Sequence, residues 1–230
     1  MKHPPNELFA TSDLDRTLFL LRRGRMSEGP SHLTNLFSEE KQLGPKGPFP
    51  ANEDSVSKLF VVDDGVVQQF AEIGRKRQAL AIHYPRDGIC HWFPGMHLKG
   101  LRHSKLRVAD IEEVNNLAGS DAEIATFLRN RVQCQFDRAS RWQHKLTRPA
   151  DERLAHFLCE QAARIGEGQP LLSFRAQTQA EMADAIAVTG IHVNRILRTF
   201  EDAGYISRQG SRLTIIDWQE LQRLGGFNSG

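Results

Sequence analysis

The stretch "TQAEMADAIAVTGIHVNRILRTFEDAGYI", residues 178 to 206, decides how the C-terminal third of this chain folds. Thr178 followed by Glu181 has capping-box spacing, so a helix starts there with Met182 and Ile186 on its buried face. Ala183 and Ala187 are small and let a second helix cross closely. Thr189 can cap that second helix, whose inner face is Val193, Ile196, Leu197 and Phe200, and Gly204 ends it. Small residues at the crossing and apolar residues on both inner faces are what a helix-turn-helix requires. The outward positions near the start of the second helix are then Ile191, His192, Asn194, Arg195 and Arg198. A helix that only had to fold would be as well served by Glu, Lys or Gln at those positions. In a helix-turn-helix they enter the major groove, where Arg can give two hydrogen bonds to guanine and Asn can do the same for adenine.

The flanking sequence extends this reading. "YISRQGSRLTIIDWQELQRLGGF", from Tyr205, reads as a hairpin turning at Gln209-Gly210, then a short helix whose Asp217 and Glu220 have capping-box spacing. Arg208 and Arg212 on that hairpin would make a wing that reaches phosphates. On the other side, "PADERLAHFLCEQAARIG", from Pro149, is a helix with Pro at its first turn and Gly166 at its end. An ordinary helical hairpin satisfies much of the same pattern, and charge gives that alternative some support. Residues 148–230 hold nine Arg against ten Asp plus Glu, a net charge of −1, which is unusual for a DNA-binding domain. The positive charge is local: residues 189–212 hold four Arg against Glu201 and Asp202.

Upstream, residues 120–148 contain neither glycine nor proline, and Ile124, Leu128, Val132, Phe136, Ala139, Trp142 and Leu146 recur every three or four residues. One apolar stripe on a long helix asks for a partner, either this chain's own β domain or a second copy. The remaining faces carry Arg129, Arg131, Arg138, Arg141 and Lys145, a solvated surface. Before this helix, from Lys58 to Val114, short apolar runs alternate with turns. "KLFVVDDGVVQQFAEIG" places Asp64-Gly65 between two β-branched runs, and "ALAIHYPRDGICHWFPG" repeats the theme with Asp87-Gly88. Both read as hairpins, and "SKLRVADI" supplies a further strand, which gives an antiparallel β barrel or roll. Residues 12–25 read as a short amphipathic helix with Leu14, Leu18 and Leu21 on one face. The chain therefore divides into a β-roll domain over 1–120, a long helix over 121–148 and a winged helix-turn-helix over 149–230, an α+β architecture.

Composition sets the outer bounds. A chain of 230 residues with 40% hydrophobic and 25% charged residues is ordinary for a globular protein, and a net charge of +2 argues neither for nor against nucleic acid. Three separated cysteines, Cys90, Cys134 and Cys159, form no disulfide framework and point to a reducing, cytoplasmic setting. The longest apolar run near the N-terminus, Leu18 to Leu21, is too short for a signal peptide or a membrane span.

"RILRTFEDAGYIS" following "VTGIHVN", the winged hairpin and the preceding "ERLAHFLCE" closely resemble the Crp/Fnr family of bacterial transcription regulators. The order β roll, long helix, winged helix-turn-helix matches as well. The resemblance implies a homodimer whose long helices form a coiled coil through the stripe above, reading two half-sites of a palindromic operator in double-stranded DNA. It also implies RNA polymerase as a further partner. Carried over by position, Arg195 matches the guanine-reading arginine, with Asn194, His192 and Ile191 beside it. Thr178, Gln179 and Thr189 fall where phosphate contacts lie, and Arg198, Arg208 and Arg212 join them by charge and place. Ile191 departs from the family pattern, which commonly has a base-contacting glutamate there.

The family's cyclic-nucleotide members carry a Gly-Glu pair followed closely by Arg-Ser or Arg-Thr. The corresponding stretch here, "FPGMHLKGLRHSKLRVADI", has no acidic residue between Asp87 and Asp110, so the ribose partner is missing although Arg102 and Arg107 are present. No cysteine precedes Cys90, which removes the N-terminal cluster of the iron–sulfur members. The expectation is a regulator without cofactor. A roll that senses another small molecule is the alternative within this class. A metal-binding protein or enzyme using Cys90, His91, His97 and His103 is the rival from another class. Their spacing fits no zinc signature, and neighbouring residues 90 and 91 of a strand point to opposite faces. No nucleophile–base motif or glycine-rich phosphate loop supports that rival. Cys134 in the long helix could serve as a redox switch, although buried structural thiols are commoner.

Overall fold

The computed structural model describes residues 35–45, 49–50, 57–73, 76–89, 96–166 and 170–227. The helix expected over 12–25 and the pair Cys90 and His91 lie outside the described residues.

Eight strands build two four-stranded antiparallel sheets. The first holds β1 (Glu39–Leu43), β8 (Ser104–Asp110), β3 (Lys58–Asp64) and β6 (Gly88–Ile89), in that order. The second holds β2 (Phe49–Pro50), β7 (Met96–Gly100), β4 (Val67–Ile73) and β5 (Lys76–His83). Side chains alternate along each strand, and β3 uses both faces. Phe60 and Val62 point between the sheets to join Val67, Leu98, Leu106 and Val108, whereas Val61 points outward to Phe37, Val114 and Ile124. The first sheet is therefore apolar on both sides and needs helices to cover its outer one.

Neither Asp-Gly pair makes a hairpin. β3 pairs with β6 and β8, while β4 pairs with β5 and β7, so the chain passes from one sheet to the other at Gly65. The same holds at Asp87-Gly88, where β5 leads into β6 of the opposite sheet. Sequence reading identifies a tight corner at these sites but not which strands flank it. Gly65 has φ +91, and a Cβ there would lie 2.3 Å from Ser104 Oγ, so the corner tolerates no side chain.

A helix that the strand pattern concealed, α1 (Ile111–Ser120), follows β8 directly; the Asp110 carboxylate caps it and also pairs with Lys58. The chain is extended at Asp121, whose side chain then caps the long helix α2 (Ala122–Lys145). The long helix thus begins at 122 and ends at 145, with Leu146 as its C-cap.

The C-terminal unit comprises α3 (Ala150–Ile165), β9 (Ser173–Arg175), α4 (Gln179–Ile186), α5 (Gly190–Asp202), β10 (Ile206–Gln209), β11 (Arg212–Ile215) and α6 (Trp218–Gly225). The wing is a three-stranded sheet in the order β10-β11-β9. β9 escaped the sequence reading because three residues carry almost no periodicity. Gln209 pairs with Arg212, so the wing turns at Gly210-Ser211, one residue later than expected. A single apolar core joins Leu154 and Leu158 of α3 to Met182 and Ile186 of α4, Val193, Leu197 and Phe200 of α5, and Leu213 and Leu221. α3 and α6 touch backbone to backbone: a Cβ on Gly225 would lie 2.4 Å from His156 N.

Candidate nucleic-acid interface

Both helix starts in the quoted stretch form as their side chains dictate. Thr178 Oγ1 accepts from Glu181 N at 3.2 Å, and the Glu181 carboxylate accepts from Thr178 N at 3.0 Å, closing the capping box. Ala187 takes the left-handed conformation (φ 54) that ends α4, and Thr189 Oγ1 then accepts from His192 N to start α5. Val193, Ile196, Leu197 and Phe200 are buried, which fixes the opposite face of α5 outward. Ile191, Arg195 and Arg198 are exposed, and His192 and Asn194 are half-buried. Ile191 is 86% exposed.

The predicted DNA residues are not all equally free. Gln179 Nε2 donates to Asn194 Oδ1 at 3.1 Å, linking the first turn of α4 to the middle of α5. Arg208 is held by Glu201 at 2.5 Å, and that guanidinium keeps the Glu201 carboxyl below its ordinary pKa. Its charge is already answered within the domain, so Arg208 is a weaker phosphate donor than its position suggests. Arg212 donates to Ser173 Oγ at 3.3 Å and has no ion pair among the described residues. The surface formed by Arg195, Arg198 and Arg212 is therefore locally positive although the domain as a whole is not.

The stripe on α2 divides. Ile124, expected at the dimer seam, is fully buried against Phe37, Val61 and Val114 of its own chain, and Leu128 packs against the same cluster. At the other end Trp142 packs on the C-terminal core, and Leu146 is half-buried. Between them Val132 and Phe136 are 50% and 67% exposed. They border an apolar cavity of about 350 Å³, shared with Leu80 and Ile82 of β5 and Phe157 of α3.

Among the described residues the β roll meets the C-terminal unit through two ion pairs that the sequence did not announce. Arg164 of α3 pairs with Asp87 at the β5–β6 corner, lies 4.3 Å over the Tyr84 ring, and donates to Ile82 O at 3.4 Å. Lys99 of β7 pairs with Glu181 at 3.3 Å, so the capping residue of α4 is also a joint. Burial pushes the Tyr84 phenol above its ordinary range. In the stretch that would hold a cyclic nucleotide, Arg107 is exposed and paired with Asp63, and Arg102 faces the C-terminal unit. His97 stacks on Phe70 at 5.2 Å and His103 is exposed. Among the described residues no three of His, Cys, Asp and Glu converge to hold a metal ion. Cys159 is buried in the C-terminal core, and burial pushes its thiol up to about 12. No helix among the described residues is long and apolar enough to cross a membrane.

Comparison with known families matches residues 152–224 to the Crp-like helix-turn-helix domain. A comparison with curated proteins finds no significant match. Among solved structures, FixK2 from Bradyrhizobium japonicum aligns over 81% of this chain and 96% of its own, with a TM-score of 0.72 and 19% identity. A mutant of CooA from Carboxydothermus hydrogenoformans aligns over 81% of this chain and 87% of its own, with a TM-score of 0.62 and 22% identity. The c-di-GMP responsive global regulator CLP from Xanthomonas campestris covers 78% of this chain and 94% of its own, with a TM-score of 0.58 and 14% identity.

Proposed function

We propose that this chain is a transcription regulator of the Crp/Fnr type that acts as a homodimer and reads a palindromic operator through α5. The observation that carries the reading is the outer face of α5: Arg195 and Arg198 exposed beside a bare Ile191, on a helix whose other face is fully packed. Arg195 is assigned to guanine, where two hydrogen bonds discriminate by about 1–3 kcal/mol. Ile191, standing where a polar reader is common, suits the methyl group of thymine. Asn194 and His192 tune the neighbouring positions. Thr178, Gln179, Thr189, Arg198 and Arg212 hold phosphates, and Arg208 contributes less because Glu201 neutralises it.

The dimer forms through α2, with Val132 and Phe136 at its centre, since they are the large apolar side chains of the stripe that its own chain leaves open. RNA polymerase is the further partner such a regulator engages. The roll works without cyclic nucleotide: no acid stands where the ribose would be held, and the two candidate arginines face elsewhere. Titration calorimetry with cyclic AMP is expected to give no binding in the micromolar range.

Selection of bound fragments from genomic DNA tests the whole reading. The recovered sites should be two-fold symmetric, with half-site centres about 34–36 Å apart along the duplex. Retention should also fall steeply with salt. Enrichment of sequences without two-fold symmetry would refute the dimeric reading.

A further inference from the structure

A groove of about 390 Å³ opens between the β roll and the C-terminal unit. Arg102 borders it from the roll, Gln161 from α3, Arg175 and Gln177 from the segment ahead of α4, and Arg208 and Arg212 from the wing. Seven buried side-chain polar atoms lack a hydrogen-bond partner among the described residues, and four of them belong to residues of this groove. They are Gln161 Oε1, both amide atoms of Gln177, and Arg208 Nε. Gln161 is only 2% exposed. Folded proteins leave few such atoms unpaired because each loses its hydration without compensation. Four of the seven therefore belong to residues on the wall of one cavity.

The charges say what kind of partner. Arg102 and Arg175 make no ion pair among the described residues, and Arg212 has only the Ser173 hydroxyl. The acid on the groove wall, Glu181, is already engaged by Lys99 and by the start of α4. Three arginines without an ion-pair partner among the described residues thus border the groove, and guanidinium groups match phosphate oxygens in geometry as well as charge. The carboxamides add one donor and two acceptors beside them, which a bare inorganic anion cannot use.

We propose that this groove binds a small phosphate monoester carrying further hydrogen-bonding groups, the chemistry of a nucleoside monophosphate or a sugar phosphate. Arg102, Arg175 and Arg212 hold the phosphate, and Gln161 and Gln177 bond the rest of the molecule. Thr178 and Gln179 line the same groove, so a bound ester occupies Arg212 and crowds the first turn of α4. Occupancy therefore weakens DNA binding, and DNA weakens occupancy by the same factor. This coupling rests on the DNA reading above; the binding itself does not.

The experiment is titration calorimetry of the full chain with inorganic phosphate, ribose 5-phosphate and the four ribonucleoside 5′-monophosphates, with ribose and the nucleosides as controls. At least one ester should bind tenfold or more tighter than inorganic phosphate, while its unphosphorylated counterpart does not bind. Arg102→Ala should weaken that ester at least tenfold without changing the thermal midpoint or the DNA affinity of the ester-free protein. Arg175→Ala, at an exposed strand end, should do the same and serves if the first variant folds poorly. The proposal is overturned if no ester binds, or if both variants bind it as the parent does. It is equally overturned if Arg102→Ala weakens DNA alone, which would assign the groove to the DNA backbone. Ester binding by a chain that selects no DNA would keep the groove and refute the operator reading instead.

Discussion

Arg195 and Arg212 carry the same charge on different elements, and their losses are expected to look different. Arg195 is exposed on the outer face of α5, in its first half, where the proposed reading assigns it to a base edge. Arg195→Ala should weaken the cognate site by about 1–3 kcal/mol and flatten the preference at one base pair in each half-site. Arg212 stands on the wing. Its replacement by Ala should weaken all sequences alike and reduce the salt slope by about one unit. Titration of both variants against single-base operator libraries at two salt concentrations separates the two roles. An equal loss on every sequence for Arg195→Ala would make it a phosphate contact. At this scale the sequence was informative wherever the partner is a few residues away. Thr178, Glu181 and Thr189 cap as expected because capping is decided within one helical turn. Arg208 was less legible, since Glu201 reaches it only after the wing has folded back onto α5.

Elements were legible in proportion to their length. The 24 residues of α2 announce a helix several times over, whereas β9 has three residues and no pattern to read. α1 was hidden for another reason: "IEEVNNLAGS" has a single fully buried residue, Val114, so its apolar face is too slight to stand apart from the strands before it. An Asp-Gly pair reads as a hairpin because a corner between sheets needs the same tight turn. The stripe on α2 divides between contacts within the chain and an exposed apolar patch. Its ends are used within the chain, by Ile124 and Trp142, and Val132 and Phe136 between them are exposed. Burying Phe136 in a seam would contribute about 1.5–3 kcal/mol in each copy. Phe136→Asp puts a charge there, so light scattering should report monomers and tight operator binding should be lost. A full dimer from that variant would place the interface elsewhere.

For the whole molecule, the order of roll, long helix and winged domain could be read from the sequence because each segment has its own period. How the units are joined could not, since Asp87 and Arg164 are 77 positions apart and neither sits in a motif. The joint is physically substantial. The Asp87 side chain is 7% exposed and also accepts from Tyr84 N, Arg164 is 18% exposed over the Tyr84 ring, and Ile82 packs on the C-terminal core. Removing the cation leaves a buried carboxylate without its counter-charge, a loss of about 3 kcal/mol or more. Removing both charges together spares that penalty. Arg164→Met is therefore expected to lower stability toward urea more than Asp87→Asn combined with Arg164→Met does. In the full cycle the double variant should lose less than the sum of the two single ones, by about 0.5–3 kcal/mol. Because this pair fastens the roll to the winged domain, the single Arg164 variant should also divide one unfolding transition into two, reported separately by fluorescence and circular dichroism. Strict additivity with a single transition would mean that the two units are held by apolar contacts such as Ile82, and that the ion pair only follows from their packing.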